Sequence, residues 1–356
     1  MKMEQQYIEC CQTEQDFKKA FSLFVGDAKS VFVVHGHRSY QACGAKELIE
    51  GHTRSISVID FDDFTENPKM EDVNKGVSLL QRTTPDVVVA IGGGSVMDMA
   101  KLIRHYAHCD IRLLAIPTTA GTGAESTQFS VCYIDGIKHS ISDAFILPDA
   151  VILYPPFTFN NSRYLTSCTG FDALAQAIEA YWNINATVES DEYAVEAIER
   201  IFSLLNKDTL SPEDRTNLLI GANDAGRAIN ITRTTVPHAL SYVLTSKYGY
   251  PHGHAVALTF PFFMRLNLEG GIDSYRGDGY DRYVEKMNRL RSLLNIDADP
   301  FAAMKFYINQ LGLGFDKSRD FDDAVVARGI NLERAKNSPM AIDEDLIMAA
   351  VQSIRE

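Results

Sequence analysis

Basic clusters are absent from this sequence. Its 34 lysines and arginines are outnumbered by 47 aspartates and glutamates, giving a formal charge of −13, and nowhere do the cations gather into a patch. Nucleic-acid binding needs a basic face for the phosphates, so that partner is excluded and any anionic ligand must meet positive charge locally. Long apolar runs are absent as well. Val87 to Ile91 and Ala255 to Phe263 are too short or too interrupted to cross a bilayer, and Met1-Lys2-Met3-Glu4-Gln5-Gln6 leads into no signal-like segment. The expectation is a cytoplasmic protein with no membrane partner. Paired cysteines are the third absence. Cys10, Cys11, Cys43, Cys109, Cys132 and Cys168 show no CxxC spacing, which points to free thiols and away from a thiolate zinc site or a dithiol redox motif.

What the sequence does hold is length and alternation. With 356 residues, 46% of them hydrophobic, it exceeds the size at which one core keeps growing, so two domains sharing a cleft are expected. Short β-branched runs at Ser30–Val34, Ile56–Asp60, Val87–Ile91 and Leu113–Ile116 alternate with helical patterns after Ser39, Met70 and Val96. That alternation predicts a Rossmann-like parallel sheet wrapped by helices. Asp135-Gly136, between Phe129–Ile134 and Lys138–Ile141, predicts an inserted β-hairpin. From Arg163 onward apolar residues recur at helical spacing, in Leu165–Trp182, Tyr193–Leu205, Leu218–Ile229 and Ile342–Ile354. The fold class is therefore an α/β dinucleotide-binding domain over residues 1–158 and an all-α domain over 159–356, divided after Val151–Leu153 and its Pro155-Pro156 stop.

Two loops carry the case for a nucleotide. Val87–Ile91 runs into Gly92-Gly93-Gly94-Ser95 and then a helix start bearing Asp98. Glycines there let a pyrophosphate approach the backbone, and the helix N-terminus supplies N–H groups and a favourable dipole. Pro117-Thr118-Thr119-Ala120-Gly121-Thr122-Gly123 follows the next strand, placing hydroxyls at the carboxyl edge of the same sheet, where open α/β sheets bind ligands. Taken singly, each loop also reads as a steric turn or a self-bonded threonine loop.

The helical half holds the candidate metal ligands. Asp172 and Gln176, four residues apart in Gly170–Tyr181, share a helix face, and Pro237-His238 and Pro251-His252-Gly253-His254 follow. One carboxylate and two imidazoles make a three-ligand site with an open position, as catalytic Zn(II) or Fe(II) requires. A lone histidine on an apolar helix is more often a core residue; the pattern as a whole speaks for the site.

Gly-Gly-Gly-Ser-x-x-Asp-x-Ala-Lys at 92–101, Pro-Thr-Thr-x-Gly-Thr-Gly at 117–123, Gly-x-Asp-Ala-Leu at 170–174, the spaced pair His238 and His252, and Asn337-Ser338-Pro339 before the last helix occur in one order. In these motifs the chain resembles the iron-containing (group III) alcohol dehydrogenases from end to end. The resemblance implies Asp172, His238 and His252 as metal ligands. Gln176 departs from the histidine many members carry, so it either coordinates weakly through oxygen, or leaves three protein ligands and a water, or accompanies loss of the metal; a retained ion is the expectation. Gly36, in the first βα turn with Arg38 and Ser39, stands where NAD-preferring members often carry an aspartate, which leaves NADPH and NADH both open. Asn67 and Lys138 complete the candidate cofactor contacts.

The activity implied is hydride transfer between nicotinamide and a small aldehyde or alcohol, the carbonyl polarised by the metal. Tyr242, one turn after His238 where relatives carry a second histidine, is the candidate proton relay together with His254. The runs Thr234–Tyr242 and Tyr250–Leu258 resemble the phosphonoacetaldehyde reductase branch, implying reduction to 2-hydroxyethylphosphonate, with Arg233, Lys247 and His254 as candidate phosphonate cations. Another small alcohol or diol is the nearest rival. A dehydroquinate-synthase-like lyase and a non-catalytic nucleotide-binding protein represent other classes. A homodimer is the expected assembly.

Overall fold

Val87–Gly92 is buried at every position, which is what an unbroken apolar run becomes when a parallel strand is covered on both faces. In the computed structural model, which describes residues 6–134 and 137–356 but not the side chains of 137 and 138, it is a central strand. The elements before it are β1 (Tyr7–Cys10), α1 (Glu14–Val25), β2 (Ser30–His35), α2 (Ser39–Ala42), α3 (Ala45–His52), β3 (Ser57–Phe61) and α4 (Met70–Thr83). It is itself β4, followed by α5 (Gly94–Ala107), β5 (Arg112–Pro117), the pair β6 (Phe129–Ile134) and β7 (Ile137–Ser142), and β8 (Ala150–Leu153).

The strands form a parallel sheet in the order β1-β8-β5-β4-β2-β3. Chain direction reverses across it: β3 lies on one side of β2, and β4 returns to the other. Gly36, just after β2, and Gly92, at the end of β4, therefore lie on neighbouring strands, in the register His35 to Ile91, at the switch point where such sheets bind ligands. One face of the sheet buries Val31, Val33, Val87, Val89 and Ile91 against Phe17 and Phe21 of α1. That helix starts where the Thr13 hydroxyl accepts from Asp16 N–H (3.1 Å). Each buried phenylalanine contributes about 1.5–3 kcal/mol of apolar transfer. β6 and β7 pair antiparallel as the expected hairpin; its Asp135-Gly136 turn lies outside the described residues.

Two compact units emerge: Met1–Asn161 with Ser211–Asn223, and Ser162–Leu210 with Asp224–Glu356. The expected division at residue 159 did not include the return of Ser211–Asn223 to the first unit. There Asn223 Nδ2 donates to Ser126 Oγ (2.7 Å) and to Glu125 Oε1 (3.2 Å).

The second unit is helical: α6 (Arg163–Trp182), α7 (Val188–Leu205), the end of α8 (Pro212–Thr232), α9 (Val236–Ser246), α10 (His252–Glu269), α11 (Tyr280–Leu293), α12 (Pro300–Gln310), α13 (Asp323–Arg328), α14 (Leu332–Ala335) and α15 (Glu344–Gln352). From Gly170 to Trp182 every residue of α6 is buried, so this is a central helix covered on all sides rather than an amphipathic surface one. Trp182 stacks on Phe260 of α10 at 5.6 Å between ring centroids. Gly253 is needed where α10 begins, because a Cβ there would lie 1.9 Å from the Cys168 carbonyl oxygen. That close approach brings His252 beside Asp172. Among the described residues no helix is long and apolar enough to cross a membrane.

Candidate functional site

In the first unit the two motif loops meet. Thr118 N–H donates to the Gly92 carbonyl (3.0 Å). A Cβ on Gly93 would stand 3.3 Å from Thr119 Oγ1, and one on Gly94 would stand 2.9 Å from Thr122 Cγ2. Both glycines thus lie close against the threonine loop, Gly94 the more tightly. Gly93 caps α5, whose first N–H groups have no side-chain cap, leaving a helix N-terminus of the kind that holds anions. Ser95 Oγ accepts from Asn67 N–H (3.4 Å), and Asn67 takes a left-handed φ of 62°. Asp98 lies one turn further along α5, where its carbonyl accepts from Ser130 Oγ (3.1 Å). Arg38 and Ser39 are exposed after β2. The Lys138 side chain lies outside the described residues.

The last residue of the glycine motif takes another role. Lys101 is fully buried, its Nζ donating to Thr127 Oγ1 (3.0 Å) and the Phe129 carbonyl (2.9 Å). Burial lowers its pKa to about 8 against the pull of Asp98 and Glu125.

In the second unit Asp172, His238 and His252 converge, each offering one ligand atom within 4.8 Å of the others. Asp172 Oδ1 is 3.2 Å from His238 Nε2 and 3.7 Å from His252 Nε2. Its other oxygen, Oδ2, accepts from Gln176 Nε2 at 3.3 Å. Helix periodicity explains the pairing, since Asp172 and Gln176 are one turn apart on α6. A carboxylate oxygen and two imidazole nitrogens suit a borderline divalent ion such as Zn(II) or Fe(II).

Glu179, absent from the sequence-based candidates, stands behind this set. It is fully buried; Oε1 accepts from His238 Nδ1, and Oε2 accepts from Thr235 N–H (2.5 Å) and Thr235 Oγ1 (2.8 Å). Trp182 Nε1 donates to the same Thr235 hydroxyl at 3.2 Å. Burial pulls the His238 imidazole down, but Glu179 and Asp172 outweigh it and raise the pKa to about 9. The site therefore favours positive charge, which a divalent ion would supply in place of the proton. The signal in the sequence was a carboxylate two turns after Asp172 on the same face of an otherwise apolar helix.

Tyr242 lies one turn after His238, its ring stacked on that of His252 (6.5 Å, 25°), and burial raises its hydroxyl pKa. His254 does not join the converging ligands. Two residues past His252 on one helix, it points to a different side. There its Nδ1 bonds Tyr164 Oη (2.9 Å) and its Nε2 bonds the Gly314 carbonyl (2.8 Å), while burial lowers its pKa. Arg233 is exposed at a left-handed φ of 64°, and Lys247 is exposed at the end of α9.

Residues 11–155 match the family described as iron-containing alcohol dehydrogenase, and residues 166–330 match its C-terminal domain. The chain is 30% identical over 301 residues to phosphonoacetaldehyde reductase of Streptomyces viridochromogenes, covering 75% of each. It is 27% identical over 274 residues to aldehyde-alcohol dehydrogenase 2 of Entamoeba histolytica, of whose length the match spans only 32%. The crystal structure of sulfoacetaldehyde reductase from Bifidobacterium kashiwanohense in complex with NAD+ superposes with a TM-score of 0.84 at 25% identity, covering 98% of this chain and 96% of that one.

Proposed function

The chain belongs to the iron-containing alcohol dehydrogenase family, and from that premise we propose that this oxidoreductase reduces a two-carbon aldehyde carrying an oxyanion, phosphonoacetaldehyde, to 2-hydroxyethylphosphonate. The observation that carries the reductase reading is the convergence of Asp172, His238 and His252. The phosphonate is supported by the likeness to phosphonoacetaldehyde reductase and by a structural neighbour named for sulfoacetaldehyde, also a two-carbon aldehyde with an oxyanion.

A divalent ion held there supplies Lewis-acid polarisation of the carbonyl, and a bound nicotinamide supplies the hydride. The residues do the rest. Glu179 keeps the His238 Nε2 lone pair aimed at the site by accepting from Nδ1. Gln176 orients Asp172 through Oδ2. Tyr242, beside His252, delivers the proton to the alkoxide oxygen. His254, held at both ring nitrogens, secures the start of α10 to Tyr164 and Gly314. The exposed Arg38 beside Gly36 accepts a 2′-phosphate, so NADPH is used as well as NADH.

The test is oxidation of NADH and NADPH by protein loaded anaerobically with Fe(II) or Zn(II), offered phosphonoacetaldehyde beside neutral aldehydes and diols. Preferential turnover of the phosphonate is expected. Turnover of the neutral substrates alone keeps the dehydrogenase and removes the phosphonate. Nucleotide binding without any oxidation would point to the non-catalytic alternative.

A further inference from the structure

Resting on that reading, we infer that Arg334 receives the oxyanion of the substrate and so sets the preference for a charged aldehyde over a neutral one. Arg334 lies on α14 with its backbone N–H held by Asn331 Oδ1 (3.1 Å). Its guanidinium is fixed at two points: Nη1 donates to Thr234 Oγ1 (2.6 Å), and its centre lies 5.7 Å from the ring centroid of Tyr242. Tyr242 in turn stacks on His252. The cation thus stands one aromatic ring away from a metal ligand.

Among the described residues no carboxylate lies within ion-pair distance of it, whereas Arg200, Arg227, Arg291, Arg319 and Arg355 each have at least one. A guanidinium carries five N–H donors, so the bond to Thr234 leaves a fork for a tetrahedral oxyanion. The chain carries a formal charge of −13, and the charge of a divalent ion at the site would be offset by the buried carboxylates of Asp172 and Glu179, so an anionic substrate gains from a further local cation. Of the cations suggested by the sequence, Arg233 and Lys247 are exposed and His254 is held by Tyr164 and Gly314; Arg334 alone of these four is anchored against a residue that stacks on a metal ligand.

The experiment compares kcat/KM for phosphonoacetaldehyde, sulfoacetaldehyde and propanal in the wild type and in Arg334→Met, Arg334→Lys and Thr234→Val. Arg334→Met is expected to lower the charged-to-neutral ratio about 10- to 100-fold, mostly through KM, as loss of a charge-assisted hydrogen bond implies. Arg334→Lys should recover part of the ratio, and Thr234→Val, which loosens one of the two anchors but leaves the guanidinium, should lower it less than Arg334→Met does. Calorimetric titration with phosphonoacetate should show the same weakening without turnover, with circular dichroism confirming the fold. An equal loss on charged and neutral aldehydes, or the same loss in Thr234→Val, would mean that Arg334 only braces the Thr234 turn and overturns the inference. Wild-type turnover with no preference for charge overturns it too while leaving the reductase standing; no turnover of any aldehyde removes the reading beneath it.

Discussion

Glu179 accepts from His238 Nδ1, which leaves His238 Nε2 facing Asp172 Oδ1 at 3.2 Å. The carboxylate thereby keeps a proton on Nδ1, so that a cation at the site would replace the proton on Nε2; Thr235, itself bonded by Trp182, holds the carboxylate in place. Glu179→Gln keeps the volume but replaces an acceptor by a group that can also donate. Metal retention is expected to fall about 10- to 100-fold, read by competition with a chelator at equilibrium. Retention equal to the wild type would reduce Glu179 to a packing residue.

Gln176 tests how many protein ligands the ion has. Its amide nitrogen donates to the Asp172 oxygen turned away from the histidines. Gln176→Ala is expected to weaken metal binding by less than about tenfold, the lower end of an orienting contact, while Asp172→Asn should abolish it. Gln176→His would add an imidazole on the same helix face and tighten binding. Loss of metal in Gln176→Ala as complete as in Asp172→Asn would make the amide oxygen a true ligand.

Much of the scaffold was legible because its physics is local. A buried parallel strand is an unbroken apolar run, and Val87–Ile91 reads as one; a turn packed closely against a threonine loop favours glycine, and Gly93 and Gly94 supply it. β1 escaped because Tyr7–Cys10 is short and mixed in polarity. The return of Ser211–Asn223 to the first unit depends on distant partners such as Ser126, which no local pattern encodes. In the candidate site, Asp172, His238 and His252 stood out through family likeness, since each alone resembles a core residue. Glu179 did not, for its place two turns after Asp172 on one helix face gives no sign of a partner as distant in sequence as His238. His254 drew notice by lying near His252 in sequence, yet a spacing of two on a helix separates the rings.

Gly36 offers a test of nucleotide choice. A Cβ there would meet Ser39 Oγ at 2.3 Å, a side-chain hydroxyl able to turn aside. Gly36→Asp, combined with Ser39→Ala to give room, places a carboxylate where it accepts from a ribose 2′-OH and repels a 2′-phosphate. The NADPH-to-NADH ratio of kcat/KM is expected to fall at least about tenfold, the scale of one charged contact. An unchanged ratio would place the ribose elsewhere.

Lys101 predicts a pH dependence of stability that belongs to the scaffold alone. Burial brings its ammonium from the usual 10.5 down to about 8, so between these values the unfolded chain still holds a proton that the folded protein has released. Stability therefore rises with pH across this window, and the contribution is lost as pH falls through about 8. Lys101→Met removes the titrating group while filling a similar volume, so its urea midpoint should lack that rise when compared with the wild type from neutral pH upward. Cysteines and tyrosines that ionise over the same range are common to both proteins and cancel in the difference. Parallel profiles would mean that Lys101 keeps its proton when buried, held by Thr127, the Phe129 carbonyl and the nearby charges of Asp98 and Glu125.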